Sequence, residues 1–146
     1  MKLMYYTFDS NPFAKELTDL FGNIFLFKKL NDDFEIYKKE ILKQKPDFII
    51  GIAKSPRGFS YFDNNCFNEF GKNKKLLKNG PEKYELFVPK NIDFKTIDNL
   101  MTRKSFCNWT MYKIKNFLKE NDLKTELIFT HLMEKDLFKL DKSIRH

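Results

Sequence analysis

At 146 residues the chain is long enough for one domain with a real core, spanning residues 1–146. Apolar residues make up 42% and aromatic ones 16%, with 17 phenylalanines, which excludes a disordered chain and predicts a Phe-rich interior. The net charge of +7 raises nucleic-acid binding, but the lysines are scattered and arginine occurs only at Arg57, Arg103 and Arg145, so nucleic acid is a disfavoured partner.

No apolar stretch approaches the ~18 residues of a membrane span, and the longest, "DFIIGIA", is strand-sized, so no membrane association is expected. The start, "MKLMYYTFDSNPF", turns polar at Asp9 and is not expected to act as a secretion signal. Cys66 and Cys107 lie far apart and make no disulfide framework, so a cytoplasmic location is expected. Two cysteines and two histidines are a poor zinc set, and neither metal nor cofactor is expected.

In chain order, "KLMYYTF" is aromatic and apolar and predicts a buried first strand. "SNPFAKELTDLFG" predicts a helix capped by Asn11, with Pro12 in its first position and Gly22 at its end. "NIFLFKKL" reads as a short strand. In "DDFEIYKKEILKQ", Phe34, Tyr37, Ile41 and Leu42 share a face of an amphipathic helix. Lys45-Pro46-Asp47 stops it, and "FIIGIA" follows as a strand buried on both faces. Beyond residue 53 the pattern loosens into a turn at Ser55-Pro56, a short strand near residues 59–62 and a lysine-rich excursion over residues 69–83. "DFKTIDNLM" predicts another helix, residues 108–120 a strong one, and "KTELIFTHL" a closing strand. The tail "MEKDLFKLDKSIRH" reads as a last helical turn or two. Strands alternating with helices predict an α/β sandwich with a largely parallel sheet, whose sites gather at strand ends and helix starts.

Cys107 admits two readings. With Met111, Ile114 and Leu118 it falls on one helical stripe, as a small apolar residue completing a buried face does. Alternatively, Ser105 caps the helix and Cys107 occupies its first turn, where free amides and the dipole favour a thiolate and can receive an oxyanion. Such a nucleophile needs a base, and His131 is the sole internal histidine. A helix returning to a neighbouring parallel strand brings that strand's end to the edge where the helix began, so Cys107 and His131 are expected together. His131 equally fits an ordinary structural histidine. Asp63, following "GFSYF", is a candidate to orient the imidazole, or a plain turn aspartate before Asn64-Asn65. Cys66, with no helix start near it, reads as structural.

Three separated stretches resemble the pyroglutamyl peptidases, also called pyrrolidone-carboxylate peptidases. "QKPDFIIGIA" is similar to the family's helix end and following strand, and Arg57, Asp63 and Asn68 hold the spacing of its Arg, catalytic Glu and Asn without a gap. "CNWTMY", from Cys107 to Tyr112, resembles the nucleophile segment, and "FTHL" places His131 in the position of the catalytic histidine. Weaker echoes are "YTF…NP" and "GPEKYELFVP", so the likeness runs over most of residues 2–132. The resemblance implies a three-layer αβα sandwich around a mixed, mostly parallel sheet. It also implies a peptide or small acyl-amide substrate, with Cys107 as nucleophile, His131 as base and then acid, and Asp63 as the orienting carboxylate. The reaction implied removes an N-terminal pyroglutamyl group through a thioester.

The chain departs from the family in several places. Asp63 stands where the family has Glu, and the aromatic loop that grips the pyrrolidone ring is shortened to "TFDSNPF", leaving Phe8 and Phe13 as its substitutes. "FGKNKK" replaces an Arg-Ile-Pro-Asp-Asn segment whose arginine helps stabilise the oxyanion, residues 102–106 replace Ala-Gly-x-Tyr-x, and the C-terminal helix is short. Two expectations follow: a small thiol hydrolase, with Phe8, Phe13 and Asn68 as candidate substrate-binding residues, or a descendant that binds a ligand or partner without turnover. Surface exposed by the truncation would favour a homo-oligomer.

Overall fold

The computed structural model describes residues 1–71, 74–98 and 105–144. In chain order they form β1 (Leu3–Phe8), α1 (Ala14–Phe21), β2 (Ile24–Phe27), α2 (Leu30–Gln44) and β3 (Phe48–Lys54). Then come the short strands β4 (Tyr61–Asp63), β5 (Asn65–Phe67), β6 (Lys83–Glu85) and β7 (Lys95–Ile97), followed by α3 (Phe106–Glu120), β8 (Glu126–Leu132), a 3-10 turn over Glu134–Asp136 and α4 (Leu137–Ile144). The main sheet runs β2-β1-β3-β8-β4-β7, while β5 and β6 pair separately as an antiparallel ribbon. Strands β2, β1, β3 and β8 are mutually parallel; β4 turns against β8 and carries β7 parallel to itself.

Alternation along each strand sorts the apolar residues into two layers. Met4, Tyr6 and Phe8 of β1, Ile49 and Ala53 of β3, and Leu127 and Phe129 of β8 pack with α2 and α3. Tyr5, Ile50, Ile52, Ile128 and Leu132 point the other way, onto Leu17 and Phe21 of α1 and Leu137 and Leu140 of α4. The expected three-layer αβα sandwich with a largely parallel mixed sheet is therefore what the chain forms. No helix among the described residues is long and apolar enough to cross a membrane.

Gly51 lets the layers close. A Cβ there would lie 2.5 Å from the Tyr6 and Phe129 rings, so only hydrogen leaves room for the tyrosine to cross the sheet toward α3.

Four local expectations need correction. The first helix starts at Ala14, because Asn11 Oδ1 accepts the Phe13 N–H in a turn that precedes the helix. Leu42 is exposed, one position round the helix from buried Ile41. Residues 95–97, read as helical, form β7, because pairing with β4 overrides a weak local preference; residues 99–101 lie outside the described set. The ribbon of β5 and β6 was not anticipated at all.

Candidate active site

Parallel pairing of β3 with β8 puts both C-terminal ends at one rim of the sheet, with Ala53 opposite His131. Helix α3 runs back against this layer and begins at the same rim. Ser105 caps it, its hydroxyl accepting the Asn108 N–H at 3.2 Å, so Cys107 occupies the first turn as expected. Two further ties hold that turn. The Tyr6 hydroxyl donates to Thr110 Oγ1 (3.0 Å), which donates to the Cys107 carbonyl (2.8 Å). The buried Asn108 side chain accepts from the Phe67 N–H (2.8 Å) and donates to the Phe67 and Glu69 carbonyls, both at 2.9 Å. The helix start is thereby fastened to β1 and to β5, which follows Asp63 after the single residue Asn64.

Asp63 and His131 meet. Asp63 Oδ2 lies 2.7 Å from His131 Nε2, with the two residues 1% and 3% exposed. A carboxylate facing one ring nitrogen keeps the proton on that nitrogen, leaving Nδ1 with its lone pair for proton exchange. The shorter side chain still reaches because β4 is a ladder partner of β8: Tyr61 faces His131, and Asp63 is two residues farther along the same face. Tyr61 stacks on the imidazole, ring centroids 4.4 Å apart, and Phe129 meets its edge at 5.1 Å. These rings hold the imidazole plane.

The thiol behaves differently from the expectation. Cys107 packs partly buried against the apolar layer of Met111, Ile114 and Leu118, so both sequence readings describe it at once. Burial, and after it the Asp63 carboxylate, push its pKa up to about 12, against the lowering effect of Ser105 and its own amide. At neutral pH the resting thiol is therefore overwhelmingly protonated. No hydrogen bond among the described residues joins its sulfur to His131. The lowering by Ser105 and the first-turn amide is outweighed by desolvation. Cys66, inaccessible in the core beside Tyr84, is likewise pushed up to about 12 by burial.

Of the three candidate ligand contacts, Phe8 ends β1 on the Cys107 side of the sheet, packed near Tyr6 and Phe27. Phe13 lies on the opposite face among Leu17 and Ile52, apart from the thiol. The Asn68 amide is committed to its own loop, donating to Leu77 O (2.7 Å) and accepting the Leu77 N–H (2.8 Å). It lines a surface cavity of about 620 Å³ with Phe67, Lys74 and Lys83. Sequence reasoning missed Asn108 and Tyr61. Asn108 stands in the quoted "CNWTMY", where its type was noted without a task; Tyr61 needed the strand register.

The sheet rim thus carries a buried carboxylate–imidazole pair and, at the start of α3, a partly buried cysteine. No family model and no curated protein matches the sequence. Among solved structures, the chain is similar to pyrrolidone carboxyl peptidase from Thermococcus litoralis, at TM-score 0.77 and 14% identity, covering 99% of this chain and 92% of that one. A mutant pyrrolidone carboxyl peptidase from Pyrococcus furiosus gives TM-score 0.76 and 16% identity over 99% and 97%. Pyroglutamyl peptidase I from Bacillus amyloliquefaciens gives 0.74 and 13% over 99% and 94%. The chain has the fold of these peptidases.

Proposed function

We propose that the protein is a cysteine hydrolase of pyroglutamyl-peptidase type, acting on an N-terminally acylated peptide or small acyl amide. The observation that carries this reading is the buried 2.7 Å Asp63–His131 contact at the rim where α3 presents Cys107. Asp63 fixes the imidazole with Nδ1 free. As a bound ligand excludes water, His131 takes the Cys107 proton and sulfur attacks the acyl carbonyl. The first-turn amides of α3 face the developing oxyanion. Collapse of the adduct breaks the C–N bond, the leaving amine takes the proton from His131, and a thioester remains. Water, deprotonated by His131, then attacks the thioester and frees the acid and the thiol.

The raised thiol pKa favours a proton transfer coupled to attack over a standing ion pair. The test is release of aminomethylcoumarin from its pyroglutamyl amide. Turnover is expected in the natural protein and absent in Cys107→Ala; equal residual rates in both would dismiss the reading.

A second reading, a non-hydrolytic ligand or partner binder, draws on that same protonated thiol and on the absence of its hydrogen bond to His131. Binding without release of product across a panel of acylated peptides would favour it. Free thiols suit a reducing cytoplasm, and exposed Phe138 on α4 suits a homo-oligomeric contact; both belong to this proposal.

A further inference from the structure

The main sheet ends differently on its two sides. At one margin lies β7, three residues long and bearing the charge of Lys95. At the other lies β2, whose four residues, Ile24 to Phe27, are all apolar and include no proline. Charges and breaks are what keep a free margin from pairing with another chain, and β2 has neither within its length.

The ladder fixes what β2 offers. The Asp9 N–H donates to the Phe27 carbonyl at 3.0 Å, so Phe27 turns its main-chain groups toward β1, and in a parallel ladder Phe25 does the same. The N–H and C=O of Ile24 and of Leu26 therefore point the opposite way, where no further strand of the described residues follows. A cavity of about 630 Å³ opens along this margin, with Phe25, Leu26, Ile36, Tyr37 and Glu40 in its walls. The Phe25 ring is already steadied there by Tyr37 at 4.7 Å and Phe27 at 5.0 Å. Ile36 of α2, beside it, is 53% exposed. On the same stripe of α2, exposed Asp32 lies one turn before Ile36 and exposed Lys43 two turns after it. Two such helices lying antiparallel set acid against base at both ends.

We infer that the free side of β2 is a docking edge for β2 of a second copy of this chain, the two strands pairing antiparallel about a two-fold axis at Phe25. In this register Ile24 of each copy exchanges both N–H···O=C bonds with Leu26 of the other. Phe25 meets its own counterpart, and Lys28 falls opposite Gly22, which leaves the lysine room. The same axis lays α2 beside α2, with Ile36 near its counterpart and Asp32 toward Lys43. Both copies consume the same edge, and the short, charged β7 does not extend the sheet, so association stops at two. The docking uses neither Cys107 nor His131 and stands apart from the proposed function.

The experiment uses the full natural chain under reducing conditions, by sedimentation velocity and by amide hydrogen exchange in NMR across a concentration series. A monomer–dimer equilibrium with Kd on the order of 10–100 µM is expected, because the strand is short. Exchange at Ile24 and Leu26 should slow by about tenfold as the dimer fills, while Phe25 and Phe27, already bonded to β1, change little. Ile36→Glu changes an exposed position that does not endanger folding, and it should weaken association by about tenfold. Asp32→Lys should weaken it by about threefold, and adding Lys43→Asp should restore it. Cys107→Ala, which tests the thiol reading, is expected to leave the dimer unchanged. A monomer at every concentration up to about 500 µM, well above that Kd, overturns the docking edge and leaves β2 to a strand of another protein at most. A dimer whose Ile24 and Leu26 amides still exchange freely overturns it as well. So does one that Phe138→Ser disperses and Ile36→Glu leaves intact, since its contact would then be α4.

Discussion

Cys66 and Cys107 occupy the same apolar layer, and burial pushes both thiols to about 12, yet they differ in access and in what surrounds them. Cys66 is sealed in, its sulfur 3.8 Å from the Tyr84 carbonyl. Cys107 is partly open, opens a capped helix, and shares its rim with an imidazole whose second nitrogen is held by Asp63. The contrast teaches that resting acidity does not distinguish the two thiols; under the proposed function, access and a nearby imidazole would have to.

The sharpest test of that contrast is substitution of each sulfur. Cys107→Ala is expected to abolish pyroglutamyl-amide hydrolysis, while Cys66→Ala costs about 1–2 kcal/mol in stability for the cavity it leaves and keeps turnover. Comparable loss in both, measured at a temperature where both are folded, would erase the distinction. Next in size is the acceptor: Asp63→Asn keeps the shape but no longer fixes the tautomer, and kcat is expected to fall by roughly 10²–10⁴-fold. Alkylation by iodoacetamide should then be about 10²-fold faster at Cys107 than at Cys66 in the folded protein and equal in urea. Because a thiolate gains population as pH rises toward its pKa, the Cys107 rate should climb about tenfold per pH unit up to pH 10. A plateau near pH 7 would instead reveal a standing thiolate–imidazolium pair.

Smaller effects probe what holds the Cys107 helix in place. Asn108→Ala removes three hydrogen bonds to the half-buried backbone of Phe67 and Glu69 and is expected to lower unfolding stability by about 3 kcal/mol, with loss of activity. Ser105→Ala removes one cap bond and should cost about 1 kcal/mol. The smallest effect is the pH response of the two thiols. Their folded pKa of about 12 exceeds the ordinary value of ~8.5, so their stabilising contribution is complete below pH ~8.5 and is lost as pH rises toward 12. Urea midpoints at pH 8 and 10.5 should show that decline, reduced in Cys66→Ala.

Much of the frame was legible because local signals and packing agree. Periodicity in residues 108–120, the Ser105 cap and the apolar run "FIIGIA" each describe elements that the tertiary structure uses in the way the segment alone suggests. Spacing alone could not choose among 20 acidic residues; the family resemblance over Arg57, Asp63 and Asn68 singled out Asp63, which the structure brings to His131. What escaped was non-local. Residues 95–97 have too few positions to show a strand period and take their state from β4. Tyr61 faces His131 only through antiparallel register, and Asn108 looks like any polar slot until Phe67 and Glu69 are folded against it. The balance of the two readings of Cys107 was not legible either: a helix start is visible in sequence, whereas the apolar layer that buries the thiol is assembled from distant segments of the sheet and α2.

The reversal of β4 also bears on how such a site tolerates change. The distance from carboxylate to imidazole is set by rungs of main-chain pairing between adjacent strands, so the scaffold absorbs a methylene that the side chain lacks. A glutamate at residue 63 would therefore carry its carboxyl one carbon beyond the separation that this strand pairing sets, and it is expected to tilt the ring that aspartate holds. Strand register, more than side-chain length, is the gauge of this contact.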